Sequence, residues 1–175
     1  MKYSEFFMKV FDRTIGHEGK FQKDPKDRGN WTGGEVGKGT LKGTKFGISA
    51  MTYPNLDIEN LTLDDVLQLY YNDWWIKFGM ERWHKALAYQ MFDAAFNHGT
   101  GRANQFLQRA VGVKDDGIVG SVTVYKVAEF DINDLLFRFL AERLEYFTNV
   151  KTWSEYSKGW SRRVAQMMRY AAEDN

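Results

Sequence analysis

A chain of 175 residues, 43% hydrophobic, with 24 Lys+Arg against 23 Asp+Glu and a net charge of +1, can bury a sizeable core and lacks the basic excess that duplex nucleic acid requires. It contains no cysteine, which excludes a disulfide framework and thiolate metal sites. Aromatic residues make up 16%, six of them Trp and nine Tyr, enough to furnish a core and still offer flat rings to sugar faces in a groove.

In chain order, Ser4 is placed to cap a helix with Glu5 in its first turn and Phe6, Phe7, Val10, Phe11 and Ile15 on one face; Gly16 and Gly19 bracket its end. From 29 to 47, seven of nineteen residues are glycine, which predicts an irregular hairpin and the only sheet. Thr62-Leu63-Asp64-Asp65 matches a capping box, and Leu63, Val66, Leu67, Tyr70, Tyr71, Trp74 and Trp75 follow at three- and four-residue intervals, so one amphipathic helix runs to Trp75. Ala86 to Asn97 is apolar over a broad face and stops at Gly99, the pattern of a central buried helix. Further helices are expected over 103–111, 121–129, 131–147 with Asp131 as cap, and 154–172. With no repeat, no linker and two prolines, the expectation is one mainly α domain, 1–175, with one small β element near the amino end. Glu5 precedes any apolar run and no stretch approaches ~20 apolar residues, so neither an export signal nor a membrane span is expected.

The chemistry-bearing residues begin with Glu18 and, nine positions on, Asp27. Two carboxyl groups held in different environments are the apparatus of glycoside hydrolysis. Glu18, at the end of an apolar helix near Phe21, is the candidate acid, because desolvation lifts a carboxyl pKa above its usual ~4.3. Asp27, in a loop beside Arg28 and Gly29, suits the ionised role of stabilising charge or orienting water, and Thr44 offers a hydroxyl for the same water. Spacing alone favours a plainer reading, with Glu18 a solvated helix end, Asp27 a turn former and Thr44 a strand residue.

Trp31, Tyr70 and Trp74 are candidate cleft walls, and Asn97 with His98 candidate substrate contacts, although a lone His at a helix end is more often structural. Asp93, on an apolar helix, is either buried with a partner or faces the cleft, the first being favoured. Lys158, Arg162 and Arg163, near Trp160, either meet peptide carboxylates or form a solvated face. His17-Glu18 lacks the second His of a zinc motif, since position 21 is Phe, and Asp115-Asp116-Gly117 lacks the further ligands of a calcium loop and reads as a turn at a helix start. No metal and no cofactor is called for.

Three segments then fall into a known pattern: Glu18-Gly19-Lys20-Phe21, Asp24-Pro25-Lys26-Asp27-Arg28-Gly29 and Thr44-Lys45-Phe46-Gly47-Ile48. Together they resemble the glycoside hydrolase family 108 N-acetylmuramidases, which include phage endolysins. The resemblance continues through Tyr71-Asn72-Asp73-Trp74-Trp75 and 91–99, and reaches 106–112 and 116–123, which are similar to the family's peptidoglycan-binding half. It implies an α+β lysozyme-like fold with a catalytic half, 1–99, and a helical half, 100–175, packed on it. It also implies that Glu18 is the catalytic acid, and the Glu, Asp, Thr order resembles phage-type lysozymes. Lys20 and Asn30 stand where glycines are usual, and residues 31–43 look like an insertion.

The protein expected from this resemblance is an endolysin that hydrolyses the β-1,4 bond between N-acetylmuramic acid and N-acetylglucosamine in bacterial peptidoglycan. It is expected to be monomeric, without nucleic acid or stable membrane association. It would be held in the host cytoplasm until a separate pore admits it to the periplasm and wall. Two rivals are a lytic transglycosylase, against which Asp27 and Thr44 argue, and a non-catalytic peptidoglycan-binding or secretion-assisting protein, against which the intact Glu18 motif argues.

Overall fold

The computed structural model describes residues 2–15 and 19–175. The chain divides into two compact units, Met1–Lys77 and Phe78–Asn175. In the first, the Ser4 hydroxyl accepts the Phe7 backbone N–H at 3.2 Å and starts α1 (Glu5–Thr14), whose buried face is Phe7, Val10 and Phe11. Tyr70 and Trp75 meet that face edge-on, with ring centroids 6.1 Å from Phe11 and 5.3 Å from Phe7. The capping box is present at α2 (Leu63–Leu69): Thr62 N–H donates to Asp65 Oδ2 at 2.9 Å and Asp65 N–H returns to Thr62 Oγ1 at 3.2 Å.

The helix predicted to run unbroken to Trp75 changes register at Tyr70. Residues Tyr70–Ile76 are π-helical, a wider turn bonded to the fifth residue. Tyr70 and Trp75, five apart, are 1% and 2% exposed. In a continuous α-helix they would point about 140° apart, and the wider turn sends both large rings into the same core.

The glycine-rich stretch folds as two small hairpins. The first spans residues 31–41 and is closed by a Trp31–Leu41 bridge. The second pairs β1 (Thr44–Lys45) antiparallel with β2 (Ile48–Ser49), Thr44 opposite Ser49 and Lys45 opposite Ile48. Its two-residue turn, Phe46-Gly47, has positive φ at both positions, 52° and 77°, the geometry that matches strand twist.

The second unit is helical. In α3 (Lys85–His98) every residue from Ala86 to Ala95 is buried, so the helix is enclosed on all sides. Around it pack α4 (Thr100–Ala110), α6 (Ile132–Thr148) and α7 (Trp153–Asp174). Gly99, at φ 82°, turns α3 directly into α4, which therefore begins three residues before the predicted start. The short α5 (Ser121–Ala128) comes after a loop held by α4: Gln108 Nε2 donates to Asp116 Oδ1 at 2.9 Å and to the Ile118 carbonyl at 3.0 Å, and Gln108 Oε1 accepts the Gly117 N–H at 2.8 Å. The Asp116-Gly117 segment is thus a turn, as its residue pattern predicts. Asp131 caps α6 by accepting the Asn133 and Asp134 N–H groups at 2.9 and 3.2 Å. The fold is mainly α with one small sheet among the described residues, and no described helix is long and apolar enough to cross a membrane.

The division at 77/78 groups α3 with the carboxyl-terminal helices, whereas the halves implied by the sequence meet at 99/100. A fragment beginning near Gly101 lacks the helix that α4, α6 and α7 enclose and should be largely unfolded by circular dichroism. A fragment beginning at Phe78 should retain cooperative helical unfolding; equal behaviour of the two fragments would contradict the central role of α3.

Candidate active site

Glu18, with Gly16 and His17, lies outside the described residues. A Cβ on Gly19 would overlap the Phe46 ring, so only glycine lets the chain pass there. Phe46 has φ 52°, and the Tyr70 hydroxyl donates to its carbonyl oxygen at 3.1 Å. A bulky residue in the left-handed region is strained; the ring over Gly19 and the bond from Tyr70 hold it there.

Asp27 and Thr44 are joined by a hydrogen-bonded network through two residues that spacing does not single out as functional. Asp27 Oδ1 accepts the Gly29 N–H at 2.9 Å, capping a 3-10 turn over Arg28–Asn30, and Asp27 Oδ2 accepts Gln22 Nε2 at 3.1 Å. Gln22 Nε2 also donates to Asn30 Oδ1 at 3.1 Å, and Asn30 Nδ2 donates back to Gln22 Oε1 at 2.7 Å. Thr44 Oγ1 donates to the same Asn30 Oδ1 at 2.7 Å, while its backbone pairs with Gln22 in both directions at 2.9 Å. Asn30 is fully buried, and its carbonyl accepts the Lys42 and Gly43 N–H groups at 2.9 and 3.1 Å. The carboxylate of Asp27 is exposed, and the Thr44 oxygen, its proton given to Asn30, retains acceptor capacity. Asn30 occupies a position where the resembled family pattern has glycine; a polar residue there was the one available signal.

The candidate wall residues separate. Trp31 is half-buried, its indole N–H donated to the Pro25 carbonyl at 2.9 Å at the base of the 31–41 hairpin. Trp74, also half-buried, donates Nε1–H to the Tyr53 hydroxyl at 3.3 Å, and Tyr53 donates to Asp73 Oδ2 at 3.0 Å. Burial, with Asp73 adding, pushes the Tyr53 hydroxyl up to about 12, which keeps it a donor. Tyr70 belongs to the core: at 1% exposure its ring offers no face to a sugar.

In the second unit, Asn97 and His98 line a cavity of about 460 Å³ with Tyr146, Phe147, Val150, Gly159, Trp160 and Arg163. Behind it Asp93, 1% exposed, lies 2.6 Å from Arg143 Nη2 and 2.8 Å from Arg163 Nη1. Asp93 is thus buried and paired, as its place on an apolar helix favours. Arg143 Nε donates to His98 Nε2 at 3.2 Å, and Asn97 Nδ2 donates to the Asp93 carbonyl at 2.7 Å. Burial first, then the cations of Arg143, Arg163 and Arg102, push His98 down to about 3. Of the three basic residues near Trp160 in sequence, only Arg163 reaches this cavity; Lys158 and Arg162 are exposed. Among the described residues no group of three or more His, Asp or Glu converges to hold a metal.

A small sheet followed by a helical unit built around an enclosed central helix is a mainly α, lysozyme-like architecture. The family model of glycosyl hydrolase 108 matches residues 11–99, just over half of the chain, and the chain belongs to that family of glycoside hydrolases. The structure of Brucella abortus SagA is similar to it, with a TM-score of 0.78 and 24% identity over 96% of this chain and 94% of that one, a likeness of fold. No curated protein matches the chain.

Two measurements test these contacts. Asn30→Ala should lower stability in urea by about 2–3 kcal/mol, and Thr44→Val, which removes one bond, by about 1 kcal/mol; equal, negligible losses would contradict the hub role of Asn30. His98, depressed from the usual 6.5 to about 3, stays neutral when folded while an unfolded His takes up a proton. Its contribution is therefore lost as pH falls from 6.5 toward about 3. In His98→Gln, whose amide oxygen can still accept from Arg143, the loss of urea midpoint between pH ~7 and ~5 should be smaller than in wild type.

Proposed function

We propose that this glycoside hydrolase is an N-acetylmuramidase, cleaving the β-1,4 bond between N-acetylmuramic acid and N-acetylglucosamine in peptidoglycan, and that it serves as a phage endolysin. Glu18 acts as general acid, donating its proton to the leaving glycosidic oxygen. Asp27 and Thr44 serve the attacking water or the positive charge that develops on the sugar. The observation that carries this reading is the Gln22–Asn30 network, which fixes the Asp27 carboxylate and the Thr44 hydroxyl as parts of one assembly.

A hydroxyl that donates inward keeps its lone pairs for the hydrogen of a water, and an exposed carboxylate anchored by Gly29 and Gln22 can accept another or face a cationic sugar carbon. Trp31 and Trp74, each with its indole N–H tied and its ring part-exposed, are the cleft walls of this proposal. No metal or cofactor enters the reaction, because carboxyl groups suffice for it. The enzyme acts as a monomer on peptidoglycan after release from the host cytoplasm, and the carboxyl-terminal helices contribute to holding the wall.

Digestion of purified peptidoglycan by wild type should yield reducing N-acetylmuramic acid ends by mass spectrometry. Products lighter by one water would make the enzyme a transglycosylase instead. Glu18→Gln preserves size and hydrogen bonding but cannot donate the proton, and should lose about 10²- to 10⁴-fold in rate with little change in melting temperature. A folded Glu18→Gln variant that still cleared a wall suspension at the wild-type rate would remove Glu18 from the mechanism.

A further inference from the structure

We propose that the cavity formed by Asn97, His98, Tyr146, Phe147, Trp160 and Arg163 binds a free carboxylate of the wall's peptide stems. The proposal rests on the peptidoglycan reading and deepens it by assigning the second unit a ligand chemistry of its own. Charge points to it first. Two guanidinium groups, Arg143 and Arg163, face one carboxylate, Asp93, which leaves one positive charge uncompensated. His98 adds none, because its Nε2 accepts the Arg143 N–H and is therefore unprotonated. Arg102, over the Tyr146 ring at 4.9 Å, adds a further cation nearby.

The donors are also incomplete. Arg143 is fully buried, and neither of its Nη atoms finds an aligned hydrogen-bond acceptor among the described residues, although Nη2 lies against Asp93. Arg163 donates Nη1–H to Asp93, and its side chain is 38% exposed at the cavity. The buried carboxylate fixes the guanidinium from behind, so a ligand meets a donor fork that is already oriented. A carboxylate matches that fork in charge and in planar geometry.

The remaining walls suit what such a carboxylate is attached to. Trp160, half-buried and stacked at 4.9 Å and 17° on the buried Phe147 ring, offers its ring as an apolar surface for the aliphatic part of a peptide. Asn97, exposed beside them, has its amide N–H held by the Asp93 carbonyl, which leaves its side-chain oxygen free to accept a peptide N–H. A volume of about 460 Å³ accommodates a dipeptide-sized group. A neutral sugar would leave the excess charge unmatched; an anionic peptide end neutralises it.

The test compares two soluble probes on the full-length chain: N-acetylmuramyl-L-alanyl-D-isoglutamine, which has a free carboxylate, and its neutral amide. Binding is followed by NMR at the Trp160 indole N–H. The acid should bind about tenfold more tightly than the amide. Arg163→Gln should abolish that preference, and Arg163→Lys should restore part of it. Equal binding of acid and amide to the wild-type chain would overturn the proposal, and needs no variant to fold. Selective acid binding that Arg163→Gln left intact would overturn it as well. The glycosidase reading stands or falls separately, on the release of reducing ends from purified peptidoglycan: an enzyme that cuts without acid preference loses only the carboxylate site, and a chain that prefers the acid without cutting loses only the hydrolase assignment.

Discussion

One carboxylate governs the helical unit. Asp93 lies on a helix in which every residue from Ala86 to Ala95 is buried, and taking its charge out of water costs several kcal/mol unless it is paired. Arg143 from α6 and Arg163 from α7 supply the pairing at 2.6 and 2.8 Å. Apolar side chains would tolerate α6 or α7 sliding by a fraction of a turn against α3, whereas a guanidinium displaced that far loses its partner in a dry interior. The charge thus specifies the registration of three helices that hydrophobic burial only brings together. Beside it, burial first and then the cations of Arg143, Arg163 and Arg102 hold the His98 imidazole neutral, with Arg143 directed at its Nε2.

The first unit meets a different difficulty with similar means. Its glycine-rich loop loses more conformational freedom on ordering than any other segment of that size, and two short hairpins offer little apolar surface in return. Asn30 compensates by satisfying backbone and side-chain groups together. Its carbonyl closes the loop onto Lys42 and Gly43, and its amide joins Gln22, Asp24 and Thr44. Because the bonded groups include those that carry chemistry, the order of the loop and the geometry of Asp27 and Thr44 are one property. The strained turn at Phe46 is coupled in the same way, through its contact with Gly19 and its bond from Tyr70.

Much of this was legible along the chain because it depends on local physics. Ser4, the Thr62–Asp65 box and Asp131 mark helix starts through side-chain oxygens that reach N–H groups two or three residues on, and all three are formed. The apolar face of α1 and the enclosed character of α3 derive from spacing. The π-helical change at Tyr70 was not legible, since the same aromatic residues fit an amphipathic α-helix; it is imposed by the need to bury Tyr70 and Trp75 together. Tyr70 was open to reading as a groove wall for the same reason, because composition does not tell an aromatic core residue from an exposed one.

The sequence by itself determined a cysteine-free, mainly α protein with one small β element and the motif order of the family to which the chain belongs. Each of these rests on residue type and near-neighbour spacing. Tertiary structure alone decided that Gln22 and Asn30 link Asp27 to Thr44, that Gly19 must be glycine because Phe46 lies against it, and that Arg143 and Arg163 converge on Asp93 from positions 50 and 70 residues away. Such contacts obey no periodicity, because they are set by which helices and loops meet after the apolar faces have been buried.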